Sequence, residues 1–216
     1  INIIVGTQKI HKIPELINKT INNYKKKILI DISFPEIEKF NYLLQRKFFS
    51  KSISISEGCN KYCTYCIVPY TRGKEVHRPF NDIIIETLIL SKKEIKEIIL
   101  LGQNVNNFKG IIGKLSTNLA LVVYYINEIK QIKRIRFMTS HPLSLSNKIM
   151  QLFSIINKLA NNIHLPIQSG SDKILKIMKR NYDVKIYKYK VDTLKKLRKK
   201  SRRPKKRYKR SQFCLK

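Results

Sequence analysis

The chain is poor in acidic residues, in long apolar runs and in cysteine. Fourteen acidic residues stand against 45 basic ones, a net charge of +31, and a field of that sign favours a polyanion such as nucleic acid. Lys, Ile and Asn together supply 86 of the 216 residues, a bias that an AT-rich genome imposes on any protein. Charge alone therefore leaves nucleic-acid binding and mutational drift both open. The longest apolar run, IIIETLIL at 83–90, is interrupted by Glu86, and nothing approaches the ~20 residues of a membrane span. The opening INIIVGTQKIHKIPEL has no basic leader and no small-residue cleavage site, so no signal peptide is expected. It also lacks an initiating Met, which suggests a fragment. These absences predict a cytoplasmic protein with no membrane partner. Cysteines number only four, and in a reducing compartment such thiols are more often metal ligands than disulfides.

What is present has the rhythm of an α/β fold. Residues 1–46 read as a strand end, a short helix from Pro14 to Asn22 and a linker, with Pro35 breaking DISFPEIEKF. SISIS at 52–56 alternates as a strand does. NDIIIETLILSKK (81–93) reads as a helix with an Asn-Asp cap. EIILLG (97–102) reads as a buried strand, STNLALVVYYINEIK (116–130) as a helix and RIRFMTS (134–140) as a strand. SNKIMQLFSIINKLA (146–160) is a helix, NIHLPIQ (162–168) a strand and SDKILKIMKR (171–180) a helix capped by Ser171. VKIYKYKVDTLKKLRKK (184–200) is a further helix. Strands and helices alternating at this spacing predict a parallel sheet of about four βα units. From Lys195 to Arg210, 12 of 16 residues are basic, and such a run is expected to be solvated and to repel itself.

Cys59, Cys63 and Cys66 fall within eight residues of EGCNKYCTYCIVPYTRG (57–73). Three thiols leave one over in any disulfide scheme. A tetrahedral zinc site needs a fourth ligand, and His77 is the available one. Zinc ligands usually come as two spaced pairs, however, and here three cysteines share one compact loop. A 4Fe–4S cluster fits better, because thiolates hold such clusters and three of them leave one iron open. Backbone amides near Asn60 and Thr64 are candidate donors to the sulfurs.

CNKYCTYC has the CxxxCxxC form of the radical S-adenosylmethionine (SAM) superfamily. The longer ISISEGCNKYCTYCIVPYTRG resembles the signature of its methylthiotransferases. DISFPEIEKF (31–40), LLGQNVNNF (100–108), RIRFMTSHP (134–142) and HLPIQSGSDKILKIMKR (164–180) resemble further blocks of that family, in order and over residues 1 to about 200. The resemblance implies a partial radical SAM (β/α) barrel at 51–200. Before it would lie the C-terminal end of the family's N-terminal domain plus linker (1–46), and after it an unmatched basic tail (201–216).

The activity implied is that of a tRNA methylthiotransferase, which adds a methylthio group to carbon 2 of an isopentenyl-adenosine beside the anticodon. Relatives that modify threonylcarbamoyl-adenosine or a ribosomal aspartate are alternatives within the family. By the same resemblance Cys59, Cys63 and Cys66 would hold one 4Fe–4S cluster, and Tyr65, Gly102, Gln103, Gln168 and Ser169 would face SAM. The partners implied are tRNA, a flavodoxin-like electron donor and a sulfur source. Arg72, Arg78 and Arg136 are candidate RNA contacts, with a structural ion pair as the other reading for the first two. His141 reads as a turn residue, His164 as a core residue, and Tyr124 and Tyr125 as one helix face. No cysteine precedes Cys59, so the family's second cluster has no ligands here. The competing expectation is an inactive, truncated or frameshifted remnant that binds at most a cluster or RNA. Cys214 lies in the unmatched tail and takes no role.

Overall fold

A computed structural model describes residues 3–6, 12–22, 29–31, 49–113 and 115–200. The basic tail at 201–216, Cys214 and the whole segment 32–48, with Pro35, lie outside the described residues. At the start, β1 (Ile3–Val5) pairs in parallel with β2 (Leu29–Asp31), and α1 (Ile13–Asn22) lies between them in sequence. The helix was expected. The second strand falls in the segment read as linker.

The main sheet is parallel, ordered β3 (Ser50–Ser54), β6 (Glu97–Leu101), β9 (Arg134–Phe137). Its helical connections are α3 (Phe80–Lys92) and α4 (Leu119–Glu128). Alternation along each strand decides what is buried. Ile53 and Ile55, Ile98 and Leu100, and Ile135 and Phe137 join Ile83, Leu90, Val122 and Ile126 of the helices in one core. Each such side chain contributes roughly 1.5–3 kcal/mol by leaving water. Ser52, Ser54 and Ser56 therefore lie on the opposite face, where the helices do not reach.

Several boundaries differ from the sequence reading. The N-cap of α3 is Pro79, not Asn-Asp, and no side chain caps it. Residues 115–118 form β8 (Leu115–Asn118), the return arm of a hairpin with β7 (Lys109–Ile112). Gly113, in the turn, has φ 58°, the left-handed backbone glycine adopts readily. The helix begins only after Asn118, whose Oδ1 accepts from the Leu121 amide. Likewise α5 (Asn147–Ile155) is capped by Ser146 and stops before Leu159. That stop frees Leu159 to bridge Ile135 in parallel.

The fourth strand is reduced to that contact. The Ile135 amide donates to Lys158 O, Ala160 N to Ile135 O and Ser140 N to His164 O, at 2.8, 2.8 and 3.1 Å, and 161–169 otherwise has no regular strand or helix. Pro166 has no amide hydrogen to continue one. The site lies where this segment leads into α6 (Asp172–Ile177) and α7 (Val184–Lys200). Ser171 stands at the N-cap of α6, but its side chain makes no cap bond. The packing of α7 comes from Tyr187 and Leu194, both buried, and the Tyr187 hydroxyl donates to Leu165 O at 3.0 Å.

Candidate functional site

The cysteine loop is closed at its base by a two-residue ribbon. Ser56 and Glu57 (β4, Ser56–Glu57) pair with His77 and Val76 (β5, Val76–His77). Above the ribbon the Cys59 amide donates to Gly73 O at 3.2 Å, and the Glu75 amide donates to Asn60 Oδ1 at 3.0 Å. Gly58 makes the closure possible. It has φ 72°, and a Cβ there would stand 2.1 Å from the Lys74 carbonyl oxygen. Within the loop Tyr62 takes φ 47°, and the Cys66 amide donates to Cys63 O at 3.0 Å. The short α2 (Val68–Thr71) follows, with a proline in its first turn.

Cys63 is buried, while Cys59 and Cys66 are half-buried. Burial pushes the Cys59 thiol up. A hydrogen bond from the Lys61 backbone opposes this, and Glu75 adds to it. The Thr64 amide, expected at a sulfur, donates instead to Met178 O at 3.3 Å.

No three His, Cys, Asp or Glu side chains among the described residues converge closely enough for one metal ion. A cubane cluster makes no such demand, because each thiolate binds a different iron. The zinc alternative through His77 gains nothing here. That ring packs edge-on against Phe108, with centroids 5.6 Å apart, and burial lowers its pKa.

At the carboxyl ends of the parallel strands polar atoms gather without partners. Gly102, just past β6, lies against Ser56 of β4, and a Cβ there would stand 2.3 Å from Ser56 Oγ. Ser56 Oγ, Gln103 Oε1, Asn104 Oδ1, Ser140 Oγ and His141 Nε2 are all buried with no hydrogen-bond partner among the described residues. An unmade buried hydrogen bond costs about 1–3 kcal/mol, and five at one end of a sheet mark a place built for a polar ligand. The residues present thus fit a thiolate-bound cluster with a polar molecule beside it.

His141 is held firmly. Its backbone exchanges two hydrogen bonds with the Asn106 side chain, at 3.0 and 3.1 Å, and its Nδ1 accepts from the Leu143 amide at 3.1 Å. It is the turn residue expected, heading a 3-10 turn at Pro142–Ser144. Burial first, and then the charges of Arg180, Lys61 and Lys190, lower its pKa to about 3. The ring is neutral, and with Nδ1 accepting, its proton lies on the unpartnered Nε2.

Arg180 was not anticipated beyond its place at the end of a matched block. It is 6% exposed, and its Nη1 reaches both Cys63 Sγ and Tyr65 Oη at 3.3 Å. Its Nε donates to Tyr182 Oη at 3.3 Å, and Tyr182 Oη donates in turn to Ile167 O at 2.6 Å. Tyr65 is thereby fixed beside the cysteines while its ring stays half-exposed. Gln168 is exposed with φ 73°, next to Ile167, and Ser169 Oγ accepts from the Ser171 amide at 3.1 Å.

The arginines separate. Arg72 is exposed at the end of α2. Arg78 is 4% exposed and paired with Glu86, which favours the ion-pair reading over an RNA contact. Arg136 is partly buried, with Nη1 3.8 Å from Glu97 at the opposite end of the sheet from the cysteines. His164, read as core, is exposed. Tyr124 and Tyr125 share a helix face, and Tyr125 meets Phe80 edge-on at 5.3 Å.

Comparison with known proteins gives the same picture. Residues 53–203 match the family model described as "Radical SAM superfamily". A tRNA-2-methylthio-N(6)-dimethylallyladenosine synthase of Vesicomyosocius okutanii subsp. Calyptogena okutanii (strain HA) is 49% identical over 202 residues, 92% of this chain and 45% of the relative. A synthase of the same name from Coxiella burnetii (strain RSA 331 / Henzerling II) is 47% identical over the same shares. The chain spans about half the length of these relatives. Among solved structures, the cobalamin-dependent SAM radical enzyme OxsB with aqua-cobalamin and SAM bound aligns with TM-score 0.54 at 12% identity, over 87% of this chain and 30% of that one. OxsB with aqua-cobalamin alone aligns with TM-score 0.52 at 15% identity, over 68% and 22%. At such identities the likeness concerns the fold. With three clustered thiols, a parallel sheet behind them and a family model covering most of its length, the chain belongs to the radical SAM superfamily.

Proposed function

We propose that this chain is the radical SAM portion of a tRNA methylthiotransferase that modifies carbon 2 of a dimethylallyl-adenosine. The observation that carries the reading is the 46–49% identity to synthases of that name over 92% of the chain. The site's geometry supports it. Cys59, Cys63 and Cys66 would hold the cluster. The half-exposed ring of Tyr65, the bare backbone at Gly102 and the free Gln103 Oε1 would receive SAM, with Gln168 and Ser169 at the rim. Bound there, the reduced cluster and SAM supply the one-electron chemistry that removal of hydrogen from an aromatic carbon demands.

The chain's own residues do the positioning. Gly58 lets the loop close under the thiols. Arg180 fixes Cys63 and Tyr65 relative to each other. The five orphaned polar atoms give a bound molecule fixed donors and acceptors in place of water. Arg72 is the arginine of the expected three best placed to meet RNA phosphate.

The test is anaerobic reconstitution with iron and sulfide, followed by electron paramagnetic resonance of the reduced chain with and without SAM. A signal that changes on adding SAM, with about four irons bound per chain, is expected. Alanine at Cys59, Cys63 or Cys66 should abolish it, while Cys214→Ala should not. Equal iron in wild type and Cys63→Ala would overturn the ligand assignment. A cluster indifferent to SAM would favour the inactive remnant.

A further inference from the structure

A buried arginine ordinarily has a carboxylate beside it, since an uncompensated buried charge is costly. Arg180 has none among the described residues. Its neighbours are the Cys63 sulfur, two tyrosine hydroxyls and the face of the Tyr182 ring, 5.4 Å from the guanidinium carbon. The chain goes to some length to put it there. The flanking Lys179 and Asn181 take φ 55° and 54°, a left-handed backbone costly for residues with a Cβ. The Arg180 amide is held by Leu175 O at 3.0 Å, and the Thr64 amide reaches back to Met178 O. Two consecutive turns are thus strapped to the cysteine loop, and the arginine is aimed inward at a sulfur.

We infer that Arg180 is the counter-charge of the cluster: it donates a hydrogen bond to the Cys63 thiolate and makes the bound cluster easier to reduce. The inference rests on the reading that the three cysteines hold a 4Fe–4S cluster. A cluster gains one negative charge on reduction, so a fixed cation and an N–H···S bond stabilise the reduced form more than the oxidised one. Arg180 acts through Cys63, as a positioning residue that touches no reacting atom. The fork geometry matters as well as the charge, because Nη1 and Nε serve different partners, and a lysine offers a single point charge.

The measurement is a redox titration of the reconstituted chain, followed by electron paramagnetic resonance, with iron content measured on the same samples. Arg180→Gln removes the charge and keeps a donor. Its loaded fraction should reduce at a more negative potential by about 59 mV, a tenfold change in a one-electron equilibrium. Arg180→Lys should recover part of that shift. Arg134→Gln removes an equal charge from the far end of the sheet, where Arg134 Nε lies 3.3 Å from Glu97, and should leave the potential unchanged. A purely structural arginine would lower iron content in both Arg180 variants without moving the potential of the clusters that form. If loaded Arg180→Gln has the wild-type potential, or Arg134→Gln shifts it as far, the inference fails while the cluster reading stands. A wild-type chain that loads no cluster overturns both.

Discussion

At Gly58 a methyl group would stand 2.1 Å from the Lys74 carbonyl oxygen, on a backbone with φ 72°. Neither the clash nor the dihedral can relax without opening the loop that carries Cys59. Gly58→Ala should therefore lose cluster loading to nearly the extent that Cys63→Ala does. Gly113→Ala is the informative contrast. Its φ is 58° but nothing lies within 4 Å of the added carbon, so it should cost only the left-handed strain, roughly 1–2 kcal/mol, with iron content unchanged.

His141 allows a second residue-scale prediction. Its pKa is about 3 in the fold and ~6.5 in an unfolded chain. Between those values the unfolded state binds the extra proton, so stability rises with pH and falls as the solution is acidified from about 6.5 toward 3. The loss is of the order of a few kcal/mol. His141→Gln should flatten that part of the pH–stability curve, measured by denaturant unfolding. An unchanged curve would mean that the ring is not held neutral.

Among elements, helix starts and strand lengths were set by different forces. Both α4 and α5 begin at residues whose side chains accept an amide, Asn118 from Leu121 and Ser146 from Ile149. Ser146→Ala should cost about 1 kcal/mol and spare cluster loading, because the Ser146 side chain bonds the Ile149 amide of its own helix and no cysteine. The central strand answers to packing instead. Leu100 is fully buried in β6, and Leu100→Ala should cost about 2–5 kcal/mol. Since Gly102 and Gln103 extend from the same strand, that substitution should also weaken SAM's effect on the cluster signal. Thermal melts with and without SAM would separate the two contributions.

The whole molecule is a strongly cationic body, +31 over 216 residues, and no helix among the described residues is long and apolar enough to cross a membrane. Binding of tRNA by such a chain should fall steeply with salt as counterions are released. If Arg72 meets a phosphate, Arg72→Ala should lower the slope of log K against log salt by about 0.7–0.9. Arg78→Ala should leave the slope alone and lower stability, because it breaks a buried pair with Glu86. Filter binding across a salt series, beside a melt of each variant, distinguishes these outcomes.

The cysteine spacing, the βα order and the apolar alternation of 52–56 and 97–101 could be read from the chain because each is a local pattern with one physical use. Three thiols in one loop suit a cluster better than a disulfide or a zinc site, and alternating apolar residues need a covered sheet. The caps were not read this way: Asn-Asp and Ser171 were the expected ones, while the side chains that do cap are Asn118 and Ser146, and the hairpin at 109–118 hid where the first of those helices begins. The fate of 162–168 could not be read in this way. Its composition is that of a strand, but beyond the bridge at Leu159 and the proline at 166 it forms no regular strand. Nor could any local pattern tell Arg72 from Arg78, since burial is a property of what packs around a side chain. The placement of Arg180 is the furthest from the sequence. Its partner Cys63 is 117 residues away, and only the packing of α6 and its following turn against the cysteine loop brings a buried cation to a sulfur.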